Sequence, residues 1–526
     1  MALLAACAEQ QPLAGSPDGQ LYTRGLSEIS DLYIEPVSTR RVALSGAARL
    51  SRLDRKIAVS DSFGAGVGGA ISLSYEGRDI ALDAVPPEGD NRAWGALIAT
   101  LVATAKQASP TLVALPQDAI DKAVFDGMTA ALDPFSRYSD PAVARDQRAA
   151  RDGYGGVGIN FDNTDDLYRV TAVTPHSPAS QAGIQVEDRI LAIDSIPTAG
   201  RAHEEVGHQL RGPIGSAIGL RVLHPGMAQA RDLHLHRALV AIPSVSLARD
   251  GDIAIFRITS FNHSTTQRIA EGLAQAQRDA GGKLGGIVLD VRNNPGGLLD
   301  QAVSLADLFV HDGPIVSTTG RNPASHQFFT ASGKSIAPNV PIAVLVNGSS
   351  ASAAEIVAAA IQDTGRGVVI GTSSYGKGTV QTVSRLPNDG DLIVTWARLI
   401  TPSGYLLQHH GVVPTVCSAS LSDDAASLQG ELLRAGLGAG SGVSAPRARA
   451  SLDENGWAAL RRSCPPSHAS PPADLKLAER IIADPKLYAD ALHALPVATR
   501  LAQGSPGEAA AAGLTDVNRA LSSPER

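Results

Sequence analysis

The stretch Ile342-Ala-Val-Leu-Val346-Asn-Gly-Ser-Ser-Ala-Ser352-Ala-Ala-Glu355 decides the fold class of this 526-residue chain. A continuous apolar run passes through a small polar turn into a helical pattern. The same alternation recurs nearby, with apolar runs at 253–258, 286–289, 342–346 and 368–370 and helical patterns at 265–280, 298–308 and 353–362. Strands that are apolar throughout and are separated by helices are buried on both faces. The sequence therefore predicts an α/β core built on a largely parallel sheet.

Ser352 lies at the junction between this strand and the following helix. With Glu355 three residues later it fits a capping box, in which the serine only begins the helix. The same position suits a nucleophile, because the hydroxyl lies beside unpaired N–H groups and the positive end of the helix dipole. The amide of Ala353 would then face a developing oxyanion. This motif alone does not decide between a cap and a nucleophile.

A nucleophilic serine needs a base, and no histidine lies at a suggestive spacing from Ser352. Lys377 can accept a proton if burial lowers its pKa. Its neighbours Gly376 and Gly378 allow the backbone to pack closely and to exclude water. Gln381 lies four residues later, on the same face of an extended strand, so we expect its amide oxygen to orient the lysine amine.

A third turn, Asp290-Val-Arg-Asn-Asn-Pro-Gly296-Gly297, follows the apolar run at 286–289. An ordinary strand-to-helix turn can have this composition. Alternatively, a glycine amide of this turn completes an oxyanion hole opposite Ser352.

Three other glycine patterns invite comparison with nucleotide-binding loops. Residues 64–69 and 153–158 match G-x-G-x-x-G, but strand-like patterns follow them, and the dinucleotide fingerprint needs a helix there. Residues 371–378 approach a P-loop, but Gly378 stands where a Ser or Thr would bind magnesium. These patterns therefore do not favour a nucleotide cofactor.

The composition excludes several classes of protein. Lys plus Arg total 45 and Asp plus Glu total 52, so the net charge is −7, and without a basic block nucleic-acid binding is not expected. The three cysteines, Cys7, Cys417 and Cys464, are widely spaced, which predicts neither a disulfide framework nor a cysteine zinc site. The longest apolar run, 94–105, is too short to span a bilayer.

The flanking regions carry weaker signals. Helical periodicity occurs at 21–60 and again at 93–132, and a hairpin pattern lies between them at 70–83. A small β-rich module follows at 153–238, and an Ala/Pro-rich tail occupies 417–526. Glu76-Gly77 is the expected turn of the hairpin. The tail predicts short helices joined by linkers, and it offers no recognisable chemistry.

Taken together, these motifs resemble the C-terminal processing peptidases, which are carboxyl-terminal serine proteases of peptidase family S41 with a Ser–Lys dyad. The resemblance extends from about Gly127 to Pro414. It rests on the three turns described above and on further stretches in the family's order, at 127–138 (GMTAALDPFSRY), 183–193, 375–381, 401–404 and 411–414. Lys377 follows Ser352 by 25 residues, as the family's lysine follows its serine.

The resemblance implies a role for each catalytic residue. It places the nucleophile at Ser352 rather than at Ser350, the general base at Lys377 and the supporting amide at Gln381. The implied reaction is hydrolysis of a peptide bond by acyl transfer, and it requires no cofactor and no metal ion.

The resemblance also implies two sets of binding groups. The oxyanion-hole amides fall on Ala353 and on either Gly296 or Gly297. The loop that binds a substrate carboxylate falls in a PDZ domain, on Gly155, Gly156, Val157, Gly158 and Ile159. A strand at 156–161 would pair with the extended C-terminus of a protein or peptide substrate.

The implied fold is multidomain α/β, with a crotonase-like protease core, an inserted PDZ domain and a helical N-terminal region. The predicted divisions are a leader or lipoprotein tether at 1–20 and an N-terminal helical region with a β insert at 21–145. They continue with the PDZ domain at 150–238, the Ser–Lys peptidase core at 239–416 and the Ala/Pro-rich tail at 417–526. The insert at 63–87 lies outside the family pattern, and the sequence does not set the oligomeric state.

Two other kinds of protein are alternatives to a C-terminal processing endopeptidase. A non-catalytic peptide-binding protein on the same scaffold would lack a catalytic residue, whereas Ser352, Lys377 and Gln381 are all present. A different crotonase-like acyl-transfer enzyme would not explain the inserted PDZ pattern.

The N-terminus offers two interpretations. Leu4-Ala-Ala-Cys7 resembles a bacterial lipobox, whose cysteine receives lipid, and the polar residues behind it would serve as a tether. The other interpretation is a soluble protein with an N-terminal tail. The family resemblance leads us to expect a bacterial cell-envelope protein on the periplasmic side. Whether Cys7 anchors it to the membrane, which requires a start codon upstream of Met1, or the protein is soluble stays open at this point.

Overall fold

The computed structural model describes residues 13–62, 69–164, 167–419 and 452–493. Cys7, and with it the predicted lipidation site, lies outside the described residues. Across these four ranges, no helix combines the length and the apolar character that crossing a membrane requires. The same ranges contain no cluster of His, Cys, Asp and Glu side chains that could hold a metal ion.

The N-terminal region is helical and carries a three-stranded antiparallel sheet. Its elements are α1 Pro17–Leu32, α2 Thr39–Ala48, α3 Leu50–Leu53, β1 Ile57–Ser62, β2 Ala70–Tyr75, β3 Arg78–Ala84, α4 Asn91–Ala108, α5 Pro110–Val113 and α6 Gln117–Ala130. The predicted hairpin is confirmed, because Glu76 and Gly77 both adopt positive φ, at 52° and 77°, between β2 and β3. Strand β1 was not expected, since its residues fall within a segment of helical periodicity.

The next region contains a β-rich domain entered through a helix. Its elements are β4 Arg137–Ser139, α7 Pro141–Asp152, β5 Tyr154–Gly156, β6 Ile159–Thr164, β7 Leu167–Val173, α8 Pro178–Gln181, β8 Arg189–Ile193, β9 Ile196–Pro197, α9 His203–Leu210, β10 Ala217–Leu223, β11 Arg231–His236 and β12 Ala238–Val240. The main sheet has the order β11-β10-β8-β7-β6, which leaves β6 at an edge. The strand predicted at 156–161 begins only at Ile159, because Gly156 pairs instead with Ala238 of β12.

The α/β core confirms the predicted alternation of strands and helices. Its elements are β13 Val245–Asp250, β14 Ile253–Ile258, α10 Thr265–Asp279, β15 Gly286–Asp290, α11 Leu299–Asp307, β16 Pro314–Thr319, β17 Gln327–Thr330, β18 Ile342–Val346, α12 Ala353–Asp363, β19 Val368–Gly371, β20 Thr379–Arg385, β21 Asp391–Ile400 and β22 Val416–Cys417. The central sheet has the order β13-β14-β15-β18-β19-β22 and is parallel except for β13. Strands β15 and β18 are buried along their whole length, as their continuous apolar sequences predict.

A second antiparallel sheet of β17, β16, β21 and β20 lies beside the central one. Strand β4 of the N-terminal half pairs with β21, so that Arg137 lies opposite Ile393. The stretch at 127–138 is thereby joined to β21, which pairs on its other side with β20, the strand that follows the Lys377 loop.

The described part of the predicted tail is not a separate appendage. It forms α13 Glu454–Ser463, α14 Pro472–Ala483 and α15 Pro485–His493. The tail contributes Trp457 and Cys464 to one buried cluster of the core, and Leu477 and Ile481 to another. Cys417 and Cys464 form a disulfide across a separation of 47 residues. The expectation of no disulfide was therefore wrong, because the fold brings together two cysteines that no short motif connects.

The parallel sheet positions three loops at one edge. The loops after β15, β18 and β19 all leave the carboxyl ends of neighbouring strands, where α/β proteins bind their ligands. These loops carry, respectively, the Gly296-Gly297 turn, Ser352 and Lys377.

Candidate active site

Ser352 has an unusual backbone conformation. Its φ and ψ are 56° and −117°, a region that L-residues seldom adopt and that costs about 1–3 kcal/mol. An ordinary N-cap residue is extended, so capping does not require this geometry. Ser350 is different, because it is fully buried and its hydroxyl donates to the Val291 carbonyl at 2.8 Å. Of these two serines, only Ser352 has a partly exposed side chain.

The buried carboxylate of Glu355 ties the Ser352 turn to the lysine loop. One oxygen, Oε2, accepts the amides of Ser352 at 2.7 Å and of Lys377 at 2.9 Å. The other, Oε1, accepts the Gly376 amide at 2.7 Å and the Ser374 hydroxyl. Burial raises the pKa of Glu355, while these hydrogen bonds act in the opposite direction. The capping-box interpretation foresaw the bond to the Ser352 amide, but not the bonds to the lysine loop.

Lys377 is partly buried, and its surroundings lower its pKa. Burial is the main cause that lowers its pKa, and the nearby Arg137 guanidinium lowers it further. Glu355 and Asp133 oppose this effect. The amine lies 5.4 Å from the centre of the Phe135 ring. No carboxylate in the described part of the chain lies within ion-pair distance of the amine, and it forms no hydrogen bond with the Ser352 hydroxyl.

The backbone around Ser352 presents two amides without a partner. Gly296 donates its amide to Asn294 Oδ1 at 2.8 Å, so this N–H is already occupied. Gly297 has a φ of 147° and is exposed. Within the four described ranges, neither the Gly297 amide nor the Ala353 amide donates to any acceptor. Gly296 nonetheless has to be glycine, because a Cβ there would lie 2.8 Å from the Ser352 Cβ.

The chain is similar to known peptidases. The pattern of Peptidase family S41 matches residues 252–418, and that of a PDZ domain matches residues 169–223. A carboxy-terminal-processing protease of Bartonella bacilliformis is 39% identical over 308 residues, which cover 58% of this chain and 71% of that protein. The chain belongs to peptidase family S41. It is a serine-type peptidase of the C-terminal processing type, with an S41 core and a peptide-binding PDZ domain.

Two further proteins are similar to this S41 peptidase, one in sequence and one among solved structures. A carboxyl-terminal-processing protease of Picosynechococcus is 34% identical over 289 residues, which cover 54% of this chain and 69% of that protein. Among solved structures, the photosystem II D1 C-terminal processing protease is 23% identical, with a TM-score of 0.37, over 76% of this chain and 92% of that one.

The sequence predicts that Gln381 contacts Lys377, but in the structure of this S41 peptidase it does not. Its side-chain nitrogen donates to the hydroxyls of Thr379 at 2.9 Å and Thr395 at 3.3 Å, and no hydrogen bond joins it to Lys377. Simple alternation fails here because Lys377 precedes β20 and the register shifts between Val380 and Gln381. The side chain therefore belongs to a network behind the lysine loop.

The sequence analysis missed what the stretch at 127–138 does in the site. Asp133 accepts the amides of Phe135 at 2.7 Å and Ser136 at 3.0 Å, and the Thr395 hydroxyl at 3.1 Å. These bonds fix the turn that places the Phe135 ring beside the lysine amine. Asp133-Pro-Phe-Ser is a recognisable Asx-type turn, but its sequence does not indicate that β4 pairs with β21.

The PDZ domain of the peptidase carries a groove of about 520 Å³ between β6 and α9, bordered by α7. Of the predicted loop, Val157, Gly158 and Ile159 line this groove, whereas Gly155 and Gly156 lie in β5, paired with β12. The amides of Val157 and Gly158 donate to no acceptor in the described residues. An edge strand and a loop with unpaired N–H groups suit the backbone and the carboxylate of a peptide C-terminus.

Proposed function

We propose that Ser352 is the nucleophile of this peptidase and that Lys377 is its general base. The observation that carries the proposal is the strained Ser352, held beside two unpaired amides and joined through Glu355 to the lysine loop. Strain of this kind persists only where the surrounding structure enforces it, and it clusters at active sites. Ser350 offers no such chemistry, because its hydroxyl is buried and engaged.

In the proposed reaction, Ser352 Oγ attacks the scissile carbonyl while neutral Lys377 Nζ takes the hydroxyl proton. The amides of Ala353 and Gly297 stabilise the oxyanion. The lysine then returns its proton to the leaving amine, and a water molecule, activated by the same lysine, releases the acyl group. Gly296 does not serve as the oxyanion donor, because its amide is committed to Asn294.

The surroundings of Lys377 support its role as the base. A lysine with an ordinary pKa is protonated at neutral pH and cannot accept a proton. Burial and the Arg137 charge both lower the pKa of Lys377, so the neutral fraction at a given pH rises. The family resemblance implies that Gln381 supports Lys377 directly. In this protein Gln381 instead supports it indirectly, because its side chain donates a hydrogen bond to the Thr395 hydroxyl.

We further propose that the PDZ domain selects substrates through their C-terminal residues. The substrate's last residues would add a strand to the free edge of β6, and the amides of Val157 and Gly158 would receive the carboxylate. The apolar groove wall formed by Ile159, Phe161 and Leu210 favours an apolar terminal side chain.

We also propose a location on the periplasmic side of a bacterial cell envelope. The Cys417–Cys464 disulfide supports this, because such bonds persist in oxidising compartments and are rare in the cytosol. Anchoring through Cys7 is a separate part of the proposal. Expression with the native upstream region, followed by cell fractionation, tests both parts. A soluble protein whose distribution is unchanged by Cys7→Ser would refute the anchor, and a cytoplasmic protein would refute the location.

The experiment for the catalytic proposal uses an unfolded protein that carries an apolar C-terminal tag. Fragments are identified by mass spectrometry after incubation with wild type, Ser352→Ala or Ser350→Ala. We expect cleavage by wild type and none by Ser352→Ala, which should remain folded by circular dichroism. Cleavage by Ser352→Ala, together with an inactive but folded Ser350→Ala, would show that Ser350 is the nucleophile.

A further inference from the structure

A disulfide anchors one end of a segment that runs behind the active site. We name residues 464–474 the strap. Cys464 bonds to Cys417, which ends β22 at the border of the central sheet next to β19. At its other end the strap enters α14, whose Leu477 and Ile481 are fully buried against the core. The strap is therefore held covalently at one end and by apolar packing at the other.

The first part of the strap contacts the loop that leads to Lys377. The carbonyl of Cys464 accepts the hydroxyl of Ser373 at 2.6 Å. The amide of Ser467 donates to the hydroxyl of Thr372 at 3.1 Å. Both partners are buried and lie between the end of β19 and the lysine.

The middle of the strap contacts the turn that precedes Ser352. The Gly348 amide donates to the Ser467 carbonyl at 2.7 Å. The Ser349 hydroxyl and His468 Nδ1 lie 2.7 Å apart, within hydrogen-bond distance. The side chain of Asn347 donates to the Ala469 carbonyl at 3.1 Å.

The last part of the strap contacts the turn that carries Gly297. The side chain of Asn293 donates to the Ser470 hydroxyl at 2.9 Å. Arg292 donates to the Pro471 carbonyl at 2.8 Å and to the Asp474 carboxylate at 3.0 Å. Arg292 and Asp474 are both buried, so this ion pair is shielded from solvent.

We propose that the strap positions the three catalytic loops, and that the Cys417–Cys464 disulfide maintains activity by holding the strap in place. This inference rests on the proposed Ser352–Lys377 dyad. The strap residues touch no reacting atom, so they are positioning residues. Reducing the disulfide should therefore lower kcat and leave substrate selection by the PDZ groove largely unchanged.

The need for such support lies in the loops themselves. Ser352 adopts a strained positive φ, and a strained backbone relaxes unless its neighbours oppose it. Ser352 with Ala353, Lys377, and Gly297 lie on three separate loops, so a small displacement of one loop misaligns it with the others. A displacement of about 1 Å can cost about a hundredfold in rate.

Reduction of the disulfide is ordinary thiol–disulfide exchange. A dithiol such as dithiothreitol supplies two electrons and two protons, breaks the S–S bond and leaves two protein thiols, while the reductant closes into its own disulfide. Oxidised glutathione reverses the exchange. The strap then regains its covalent end, and we expect activity to return.

The primary test measures kcat and KM on a peptide substrate before reduction, after reduction and after reoxidation. Thiol alkylation and mass spectrometry report the state of Cys417 and Cys464. We expect kcat to fall by about tenfold or more on reduction, with KM changed less than threefold, and to recover on reoxidation. Cys417→Ser/Cys464→Ser should show the low kcat without any response to reductant, and Cys7→Ser should respond like wild type.

Ser470 provides a test that leaves the disulfide intact. Ser470→Ala removes the acceptor for Asn293 and should lower kcat several-fold without changing KM, whereas Ser470→Thr, which keeps the hydroxyl, should retain kcat. Ser463→Ala is the matched control, because among the described residues the Ser463 hydroxyl bonds only within its own helix, to the Leu460 carbonyl. These variants decide the question if the double-serine variant fails to fold.

The proposal is overturned if the fully reduced, folded enzyme keeps its kcat, or if Ser470→Ala and Ser463→Ala behave alike. A loss seen only in KM would also overturn it. Such a failure is distinct from failure of the proposed dyad, because Ser352→Ala would still be inactive and the oxidised wild type still active.

Discussion

The peptidase core and the PDZ domain use the same kind of backbone group in opposite ways. In the core, the amides of Ala353 and Gly297 have no partner among the described residues and lie on loops that contact a buried carboxylate and a disulfide-held segment. In the PDZ domain, the amides of Val157 and Gly158 likewise have no described partner, and they lie beside β6, an edge strand of the described sheet. In the proposed function, the core amides bind a transition state and the PDZ amides bind an extended peptide.

This difference predicts which kinetic parameter a substitution in each region should change. Alterations in the core should lower kcat with little effect on KM, since they disturb interactions made mainly in the transition state. Alterations at the PDZ groove should act on recognition of the C-terminus.

The largest effect is expected for Lys377→Arg. Arginine stays protonated in proteins, so it cannot act as the base, and kcat should fall by about 10³-fold or more. Lys334→Arg, at an exposed position, is the matched control and should retain full activity. Steady-state kinetics on one peptide checks both variants, and an arginine variant within tenfold of wild type would exclude Lys377 as the base.

Glu355→Gln should have the next largest effect. The substitution replaces an acceptor-only carboxylate by an amide whose NH₂ group faces backbone donors, so the tie between the Ser352 turn and the lysine loop is lost. We expect kcat to fall by about a hundredfold and KM to change much less. Glu271→Gln on an exposed helical face is the control. A variant with normal kcat would show that Glu355 only caps α12.

Amidation of the substrate C-terminus should have a smaller effect on kcat/KM, which acts through binding to the PDZ domain. It removes the charge that the Val157–Gly158 loop is proposed to bind, and hydrogen bonds to charged groups contribute about 1.5–3 kcal/mol. We therefore expect kcat/KM to fall by about tenfold to a hundredfold, through KM. Equal kcat/KM values for matched free-acid and amidated peptides would contradict selection by the carboxylate.

The smallest effect concerns stability. At φ 56° and ψ −117°, glycine avoids strain that alanine cannot, so Ser352→Gly should be about 1 kcal/mol more stable than Ser352→Ala. Urea unfolding of the two inactive variants measures the difference. If the glycine variant is the less stable one, Ser352 is not strained, and the contrast between the two regions loses its physical basis.

Much of the core could be predicted because its signals are local. The strand at 342–346, the following turn and the helix that begins at Ala353 are contiguous in sequence, and the observed bounds agree with the pattern. The serine-to-lysine spacing is likewise a property of one short stretch. The hairpin turn at Glu76-Gly77 was predictable for the same reason.

The features that were missed depend on contacts between distant residues. The disulfide joins Cys417 to a cysteine 47 residues away, and nothing local to either cysteine indicates a partner. The choice between Gly296 and Gly297 depends on where the Asn294 side chain points. The position of Gln381 depends on a shift of register against β21, which an alternating pattern does not reveal.

The most direct test of the Ser352–Lys377 assignment is the pH dependence of covalent labelling by a fluorophosphonate, a reagent that phosphonylates activated serines with loss of fluoride. The labelled residue is identified by peptide mapping, and rates are measured for wild type and Lys377→Ala. Because burial lowers the pKa of Lys377, labelling of wild type should rise with pH through that lowered pKa and then level off below the ordinary lysine pKa. The account predicts label on Ser352 alone, with Lys377→Ala slow and without this rise. Label on another serine, or equal rates and pH profiles in the two proteins, would contradict it.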